Sequence, residues 1–472
     1  MRRHPLVAAI IVAAGPVVLA AAPASAAHSV TQAAVTNVDV SQRPGNESEG
    51  TTAVNPTNPN NVVIITNIQH GGGLFEGVSF DGGVTWTTSI IGDNDNLGVA
   101  CCDPTISFDE HGNLFLSYLY LQGNTVPNIV PVALSTDGGL HFNLISNIVK
   151  PDPTSALITS DRRGLFRFVD QPTITAASGA VWLVFNAGGP VVATGAAVTG
   201  LGAVGSFIPV EAVPGTNNCT YGDVAIAPGG QVMQVCTQTE SGQGGGHIRV
   251  SEDADGLGPG GFGGTVTVTD THVGGFDFIP AQPDRSVDAE PGLAWDRSGG
   301  PHRGRVYLVY AHEHPNESDD TDIMLSYSDD QGVTWSAPLR VNDDRTVTSQ
   351  FLPKISLDQT DGHVAIVWYD ARNDLGLGGA GDTDGVPNDD AQFWGAFSDD
   401  GTTVSSNLQI SAGTSNSHDS QNSIDYGDYS GLSFFGGVAH PAWSDNSNST
   451  GNNPDGQLHA LDIYSASVTD PT

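Results

Sequence analysis

Carboxylates recur along this chain about once per structural repeat, each just ahead of a short apolar run: Glu47 and Glu49, Asp103, Asp170, Asp223, Asp288 and Glu290, and Asp428. Brought to one place, they would form a ring that binds cations, shifts pKa values or meets sugar hydroxyls. Taken singly, each could instead cap its own turn. Arginines share the same register at Arg43, Arg162, Arg163, Arg167, Arg285, Arg345 and Arg372. A guanidinium fork grips a carboxylate in bidentate fashion, so this set either recognises an anionic sugar or pairs with the acids. His312-Glu313-His314, with Tyr310 close by, offers a His/Tyr/Arg set suited to β-elimination from a uronic acid. There Arg neutralises the carboxylate while Tyr or His moves protons; the plain alternative is exposed histidines. Asp382-Thr383-Asp384-Gly385 followed by Asp389 and Asp390 alternates hard oxygen donors with a glycine kink and reads as a structural Ca²⁺ loop, without full EF-hand spacing. Asp319-Asp320-Thr321-Asp322 is a weaker version. No zinc spacing, phosphate-binding glycine loop or Ser-His-Asp order stands out, and no organic cofactor is expected.

The elements that must position these groups are strands. Short runs rich in Val, Tyr and Trp recur at Val62–Ile65, 114–118, 181–185, 232–235, 306–310, 364–368 and 438–443. Their near-continuous apolar character fits strands buried on both faces. Each is followed by a polar loop, a third strand, a tight Asp/Gly turn and a fourth strand such as 340–343 or 409–412. A repeat of roughly 45–60 residues of this kind signals a β-propeller. Seven second strands predict an all-β, seven-bladed propeller, with six blades as the alternative. The last blade runs out of chain after a third strand near 461–464, and 35–41 reads as an orphan fourth strand that completes it and removes an exposed edge.

Composition narrows the function. Arg2 and Arg3, the apolar run 6–22 and Ala24-Ser25-Ala26 read as a Sec-type export signal over residues 1–26, leaving 27–472 as a single exported domain. The net charge is −36, with only two lysines, Lys150 and Lys354. That excludes generic nucleic-acid binding, which needs a basic surface, and disfavours anionic membranes; a secreted monomer is expected. Four cysteines in an exported chain predict disulfides, with three pairings possible. Cys219–Cys236 is favoured because the two lie on neighbouring strands, which leaves Cys101–Cys102.

The tight turns carry a resemblance. Ser79-Phe80-Asp81-Gly82-Gly83-Val84-Thr85-Trp86 and Ser328-Asp329-Asp330-Gln331-Gly332-Val333-Thr334-Trp335 match S-x-D-x-G-x-T-W in full, and 135–142 is a close variant. In these turns the chain resembles the BNR/Asp-box sialidase-like propeller family over nearly its whole exported length. The resemblance implies that Asp81, Asp137 and Asp330 are structural and that ligands bind on the opposite face. Tyr429-Ser430-Gly431-Leu432 resembles the segment of the family's nucleophilic tyrosine, and Glu290-Pro291 that of the glutamate which activates it. Trp368-Tyr369-Asp370-Ala371-Arg372 resembles the loop before the acid/base aspartate, which implies Asp370 or Asp374 for that role. Two departures stand out: Phe351-Leu352-Pro353-Lys354 carries leucine where the family's F-R-I-P has arginine, and the family's sialidases have six blades.

Together these readings predict a sialidase-like glycosidase acting on an extracellular acidic glycan. Tyr429, Glu290 and Asp370 or Asp374 would react, with Arg372, Arg285, Arg167, His312, His314, Asp288, Asp170, Asp103 and Asp428 around the substrate. The alternatives are a polysaccharide lyase on uronate chains and a propeller that binds glycan without turnover.

Overall fold

The computed structural model describes Met1 and residues 35–471, apart from 70–71, 121–128, 150–168, 241 and 316–317. The export signal read at 1–26 lies outside the described residues, as do Arg162, Arg163, Arg167 and Lys150. Among the described residues the only helical piece is a 3₁₀ turn, His418–Ser420.

Seven antiparallel sheets follow one another along the chain: 47–91, 98–149, 170–212, 219–271, 292–340, 350–409 and 431–466. We number them blades one to seven. The inner strands are Glu47–Val54, Gly98–Phe108, Asp170–Ala177, Cys219–Ile226, Gly292–Trp295, Gln350–Leu357 and Gly431–Phe435. All seven apolar runs read from the sequence are second strands, and Val62–Ile65, for example, are fully buried. Burying each such side chain contributes roughly 1.5–3 kcal/mol, which is why the middle of every blade is Val, Ile, Leu and Trp. The fourth strands begin one residue earlier than the sequence pattern placed them, at Leu339–Arg340 and Leu408–Gln409. The backbone amides of Val341 and Ile410 extend these ladders.

Blade seven closes as expected. Its outer strand is Asn37–Asp39, paired with Asp462–Ala466 through Val38↔Ser465. The side chain of Asn37 also clips blade six, donating to the Ile410 carbonyl at 2.8 Å and accepting from Ala412 N–H at 2.6 Å.

Inner strands of adjacent blades splay too far apart to pair, so their free amides need other acceptors. Short side chains of the neighbouring blade supply them. Ser107 Oγ accepts from Ala176 N–H at 3.0 Å, Asp223 Oδ2 from Leu293 N–H at 2.9 Å, Ser356 Oγ from Phe434 N–H at 3.0 Å and Ser433 Oγ from Val54 N–H at 3.0 Å. Asp223 is thereby a strut between blades four and five.

The Ser-x-Asp turns join third and fourth strands, away from the mouths of the inner strands. In the first, Asp81 accepts from Thr85 N–H and Oγ–H at 2.8 and 2.6 Å, while Ser79 Oγ accepts from Gly83 N–H at 2.9 Å. Asp330 repeats the pattern with Thr334, and Asp137 does so with His141. The glycine of the turn fits twice over: Gly332 has φ +81°, and a Cβ there would fall 2.7 Å from Met233 of the preceding blade. Both disulfides form, Cys101–Cys102 and Cys219–Cys236, the latter between the first two strands of blade four.

Candidate active site

At the mouths of the inner strands of blades one, two, three, four and six the ladder slips. Bulges fall between Ser48 and Thr51, Cys102 and Thr105, Asp170 and Thr173, and Phe351 and Lys354. The displaced residues are left-handed: Glu49 (φ +58°), Asp103 (+53°), Gln171 (+48°) and Leu352 (+50°); Glu290 (+47°) holds the corresponding place before blade five. For residues other than glycine this conformation costs about 1–2 kcal/mol each, and such strain collects at working sites. The recurring unit is x-Pro/Gly: Glu49-Gly50, Asp103-Pro104, Gln171-Pro172, Glu290-Pro291 and Leu352-Pro353.

Two long connections cover this mouth. A hairpin of Asp277–Ile279 and Gln282–Val287 precedes blade five, and the segment 411–430 precedes blade seven. They hold each other: Gln282 donates to the Gly427 carbonyl at 3.1 Å and accepts from Tyr426 N–H at 3.0 Å, while Asp425 accepts from the amides of Asp284 and Arg285 at 2.9 Å. Tyr426 anchors the second connection by stacking on Tyr369 at 4.3 Å between ring centroids. Gly427 (φ +89°) lies against Glu49, where a Cβ would collide with that side chain.

The result is a cluster of six carboxyls, Glu49, Asp103, Asp170, Asp288, Glu290 and Asp428, with the phenol of Tyr429 among them. Arg285 grips Asp428 through Nε at 2.6 Å and a second N–H. Asp428 N–H donates to Glu49 Oε1 at 3.1 Å, and Asp103 Oδ2 accepts from Gln171 N–H at 3.1 Å. Asp103 and Asp170 also share a side-chain hydrogen bond. Asp288 is 3% exposed, and neither of its oxygens has a partner among the described residues; Glu290 Oε1 is likewise bare.

Burial dominates the electrostatics. It pushes Glu49 up to about 8, with the Asp428 charge adding to it. It lifts Asp103 well above the carboxylate range, helped by Glu49, Asp170 and Asp428. Asp288 and Glu290 are raised in the same way, first by burial and then by Asp428; Lys354 opposes the shift at Glu290. Burial and the surrounding acids hold Tyr429 as the neutral phenol. Burial thus favours the proton-bearing forms of Glu49, Asp103 and Asp288, which can donate hydrogen bonds to hydroxyls, while Lys354 favours the ionised form of Glu290.

Glu290 and Tyr429 line one cavity at the waist of the axis, beside Lys354 and Gln171. Its volume is about 70 Å³, room for a few waters and not for a sugar ring. Below it opens an axial cavity of about 500 Å³ lined by all seven inner strands.

Other residues singled out from the sequence lie elsewhere. Asp370, buried on blade six, takes Arg372 Nε and a terminal N–H at 2.9 and 2.7 Å and Trp368 Nε1–H at 2.7 Å. Arg372 also binds Asp343 at 2.7 Å and lies over Trp394. Asp374 caps a loop, accepting from the amides of Asp389 and Asp390 at 2.8 and 2.9 Å. Neither aspartate lines the cavity of Glu290 and Tyr429. His312 and His314 meet edge to face at 5.5 Å on blade five, beside Asp322. Asp382, Asp384 and Asp390 bring ligand atoms within 4.8 Å of one another, as do Asp374, Asp389 and Asp390. Arg167 lies outside the described residues. Sequence reasoning passed over Lys354 and Gln171; the x-Pro/Gly unit carries the signal, since it puts Gln171, not Asp170, in the place of Glu49.

No family model matches the chain, and no curated protein does. Among solved structures it is similar to a GH93 α-L-arabinofuranosidase of Fusarium graminearum, at 14% identity over 70% of this chain and 92% of that one, TM-score 0.46. It is similar to an α-L-arabinanase of Penicillium chrysogenum, at 12% identity over 81% and 100%, TM-score 0.44. The phage phi92 endosialidase gives 11% identity over 93% and 69%, TM-score 0.47. Likeness this distant says nothing of substrate or reaction.

Proposed function

We propose that this chain is an exported glycoside hydrolase that works at the channel mouth on an uncharged glycan. The observation that carries the reading is the meeting of Glu290 and Tyr429 on one cavity, beside Lys354 and inside a ring of buried acids. In the proposed reaction Glu290, in the ionised form that Lys354 favours, takes the Tyr429 proton as the phenol oxygen attacks the anomeric carbon of a sugar whose entry widens the waist cavity. Asp103 protonates the leaving oxygen, in place of Asp370 or Asp374. Water then releases the sugar.

The charge of the substrate follows from the guanidinium groups. Arg285 and Arg372 are both committed to aspartates. Among the described residues the ring therefore favours hydroxyl-rich sugars over a sialoside or a uronate chain. The test is a panel of neutral aryl glycosides and polysaccharides beside sialosides and uronates. Hydrolysis of neutral members is expected. Free sialic acid would instead restore the sialidase reading, a new unsaturated uronate chromophore the lyase reading, and binding without turnover the non-catalytic one.

The same proposal gives the 374–390 loop a Ca²⁺ ion. Its donors are all hard carboxylate oxygens, and Asp389 Oδ1 is buried without a partner, which suits that ion. Burial and the neighbouring aspartates push Asp389 up to about 7, a repulsion a divalent cation would relieve. Calcium at a hundred times its Kd would add about 2.7 kcal/mol. EDTA is therefore expected to lower Tm in the wild type and to leave Asp389→Asn/Asp390→Asn unmoved; equal shifts in both would exclude this loop.

A further inference from the structure

Blade two differs from the others at its mouth. Its inner strand slips twice against the second strand, once between Ala100 and Cys102 and again between Cys102 and Thr105. Cys101 is the residue displaced by the first slip, Asp103 with Pro104 by the second, and the Cys101–Cys102 bond lies between them. Blades one, three, four and six show a single slip in the same ladder. The bond joins neighbouring residues, so it closes no loop and gives the fold none of the loop-closure stabilisation that the 17-residue separation of Cys219 and Cys236 provides. What it does restrict is the backbone immediately before Asp103. Asp103 needs that restriction: it is left-handed without being glycine, and its carboxyl bridges to Gln171 N–H and to Asp170 across the gap between blades two and three. Both sulfurs are half-buried against the apolar face shared by blades two and three, so the tether is itself held in place.

We propose that the Cys101–Cys102 disulfide is a positioning device that locks the double bulge of blade two and thereby aims the Asp103 carboxyl into the acid ring. The consequence for turnover rests on the glycosidase reading above; the consequence for geometry does not. An oxidised pair holds Asp103 against Gln171, and a reduced pair frees the preceding peptide. A displacement of about 1 Å at a reacting group costs about 10²-fold in rate.

The test compares Cys101→Ser/Cys102→Ser, Asp103→Asn and the triple variant in the full chain. Two readouts keep the inference separate from the function. Hydrogen exchange at the Gln171 amide is expected to accelerate in Cys101→Ser/Cys102→Ser while the second strand of blade three, Ala180–Asn186, keeps its protection. This holds whether or not any glycan is cleaved. On a substrate that wild type turns over, kcat/KM is expected to fall about 10²-fold in the double-serine variant, with Tm little changed. The triple variant should be no worse than Asp103→Asn alone, because both changes remove one contribution. Unchanged exchange at Gln171 overturns the proposal, as does a triple variant whose loss is the product of the two. Cys219→Ala/Cys236→Ala serves as the contrast, and is expected to lower Tm without touching kcat/KM.

Discussion

Glu290→Gln and Tyr429→Phe are each expected to lower kcat by at least about 10³-fold while melting like wild type. Gln keeps the shape of Glu290 but cannot take a proton; Phe keeps the ring of Tyr429 but removes its nucleophilic oxygen. Neither change takes away a partner that the fold relies on, since Glu290 Oε1 has none among the described residues. Because the two groups would act as one unit, the double variant should lose little beyond either single one. Asp370→Asn provides the contrast. It strips a buried carboxylate from the Arg372 fork, a kind of change that costs about 3–5 kcal/mol, so its effect belongs in Tm, not in kcat. Retention of more than a tenth of wild-type kcat by both Tyr429→Phe and Glu290→Gln would remove the proposed chemistry.

The second large effect lies at the closure of the ring. Asp39, Glu47 and Asp462 are buried together where blade seven meets blade one, at 1%, 0% and 0% exposure. Arg43 takes Glu47 Oε1 at 2.5 Å, and Ser41 Oγ accepts from Ile463 N–H. Asp445 faces the same spot from the neighbouring strand, opposite Asp462 in register. Asp39 and Asp462 are within hydrogen-bonding reach, and two such oxygens can approach only around a proton. Burial and the Asp39 charge push Asp462 up to about 10, and burial pushes Glu47 up to about 8. A carboxyl raised in this way holds a proton that the unfolded chain has already lost. Stability therefore falls as pH climbs from the ordinary value of 3.8 to the folded one, by about 1.4 kcal/mol per pH unit for each such proton. Tm should decline steadily between pH 5 and pH 9, and Asp462→Asn, whose amide can replace the shared proton, should flatten the upper part of that decline. Parallel Tm curves for the two proteins would show that the pair is not responsible.

The blades were legible because their middle strands are buried on both sides, and that demand leaves seven apolar runs in plain view. Closure was legible for a related reason: 461–464 lacked an outer neighbour, and 35–41 had the alternation to be one. The site was less so. That Glu49, Asp103, Glu290 and Tyr429 share one place follows from the repeat register. Asp370 was misleading because its likeness lay in a local string, Trp368-Tyr369-Asp370-Ala371-Arg372, and what fixes that aspartate is an arginine two residues away closing back on it. No periodicity announces such a pair. The burial that lifts Asp103 and Asp288 arises from connections 272–290 and 411–430, whose conformation depends on each other and not on any repeat.

The ends of the propeller carry one more implication. Ser41 and Ile463 are hydrogen-bonded partners 422 positions apart. The outermost strand of the last sheet is thus synthesised before the other strands of the ring and paired after them. A nascent chain can stack its sheets one after another as an open arc, but the acids at 39, 47 and 462 cannot meet until the strand Asp462–Ala466 has been made. Truncation by even a dozen residues at the far end should leave an unsealed arc, not a smaller ring.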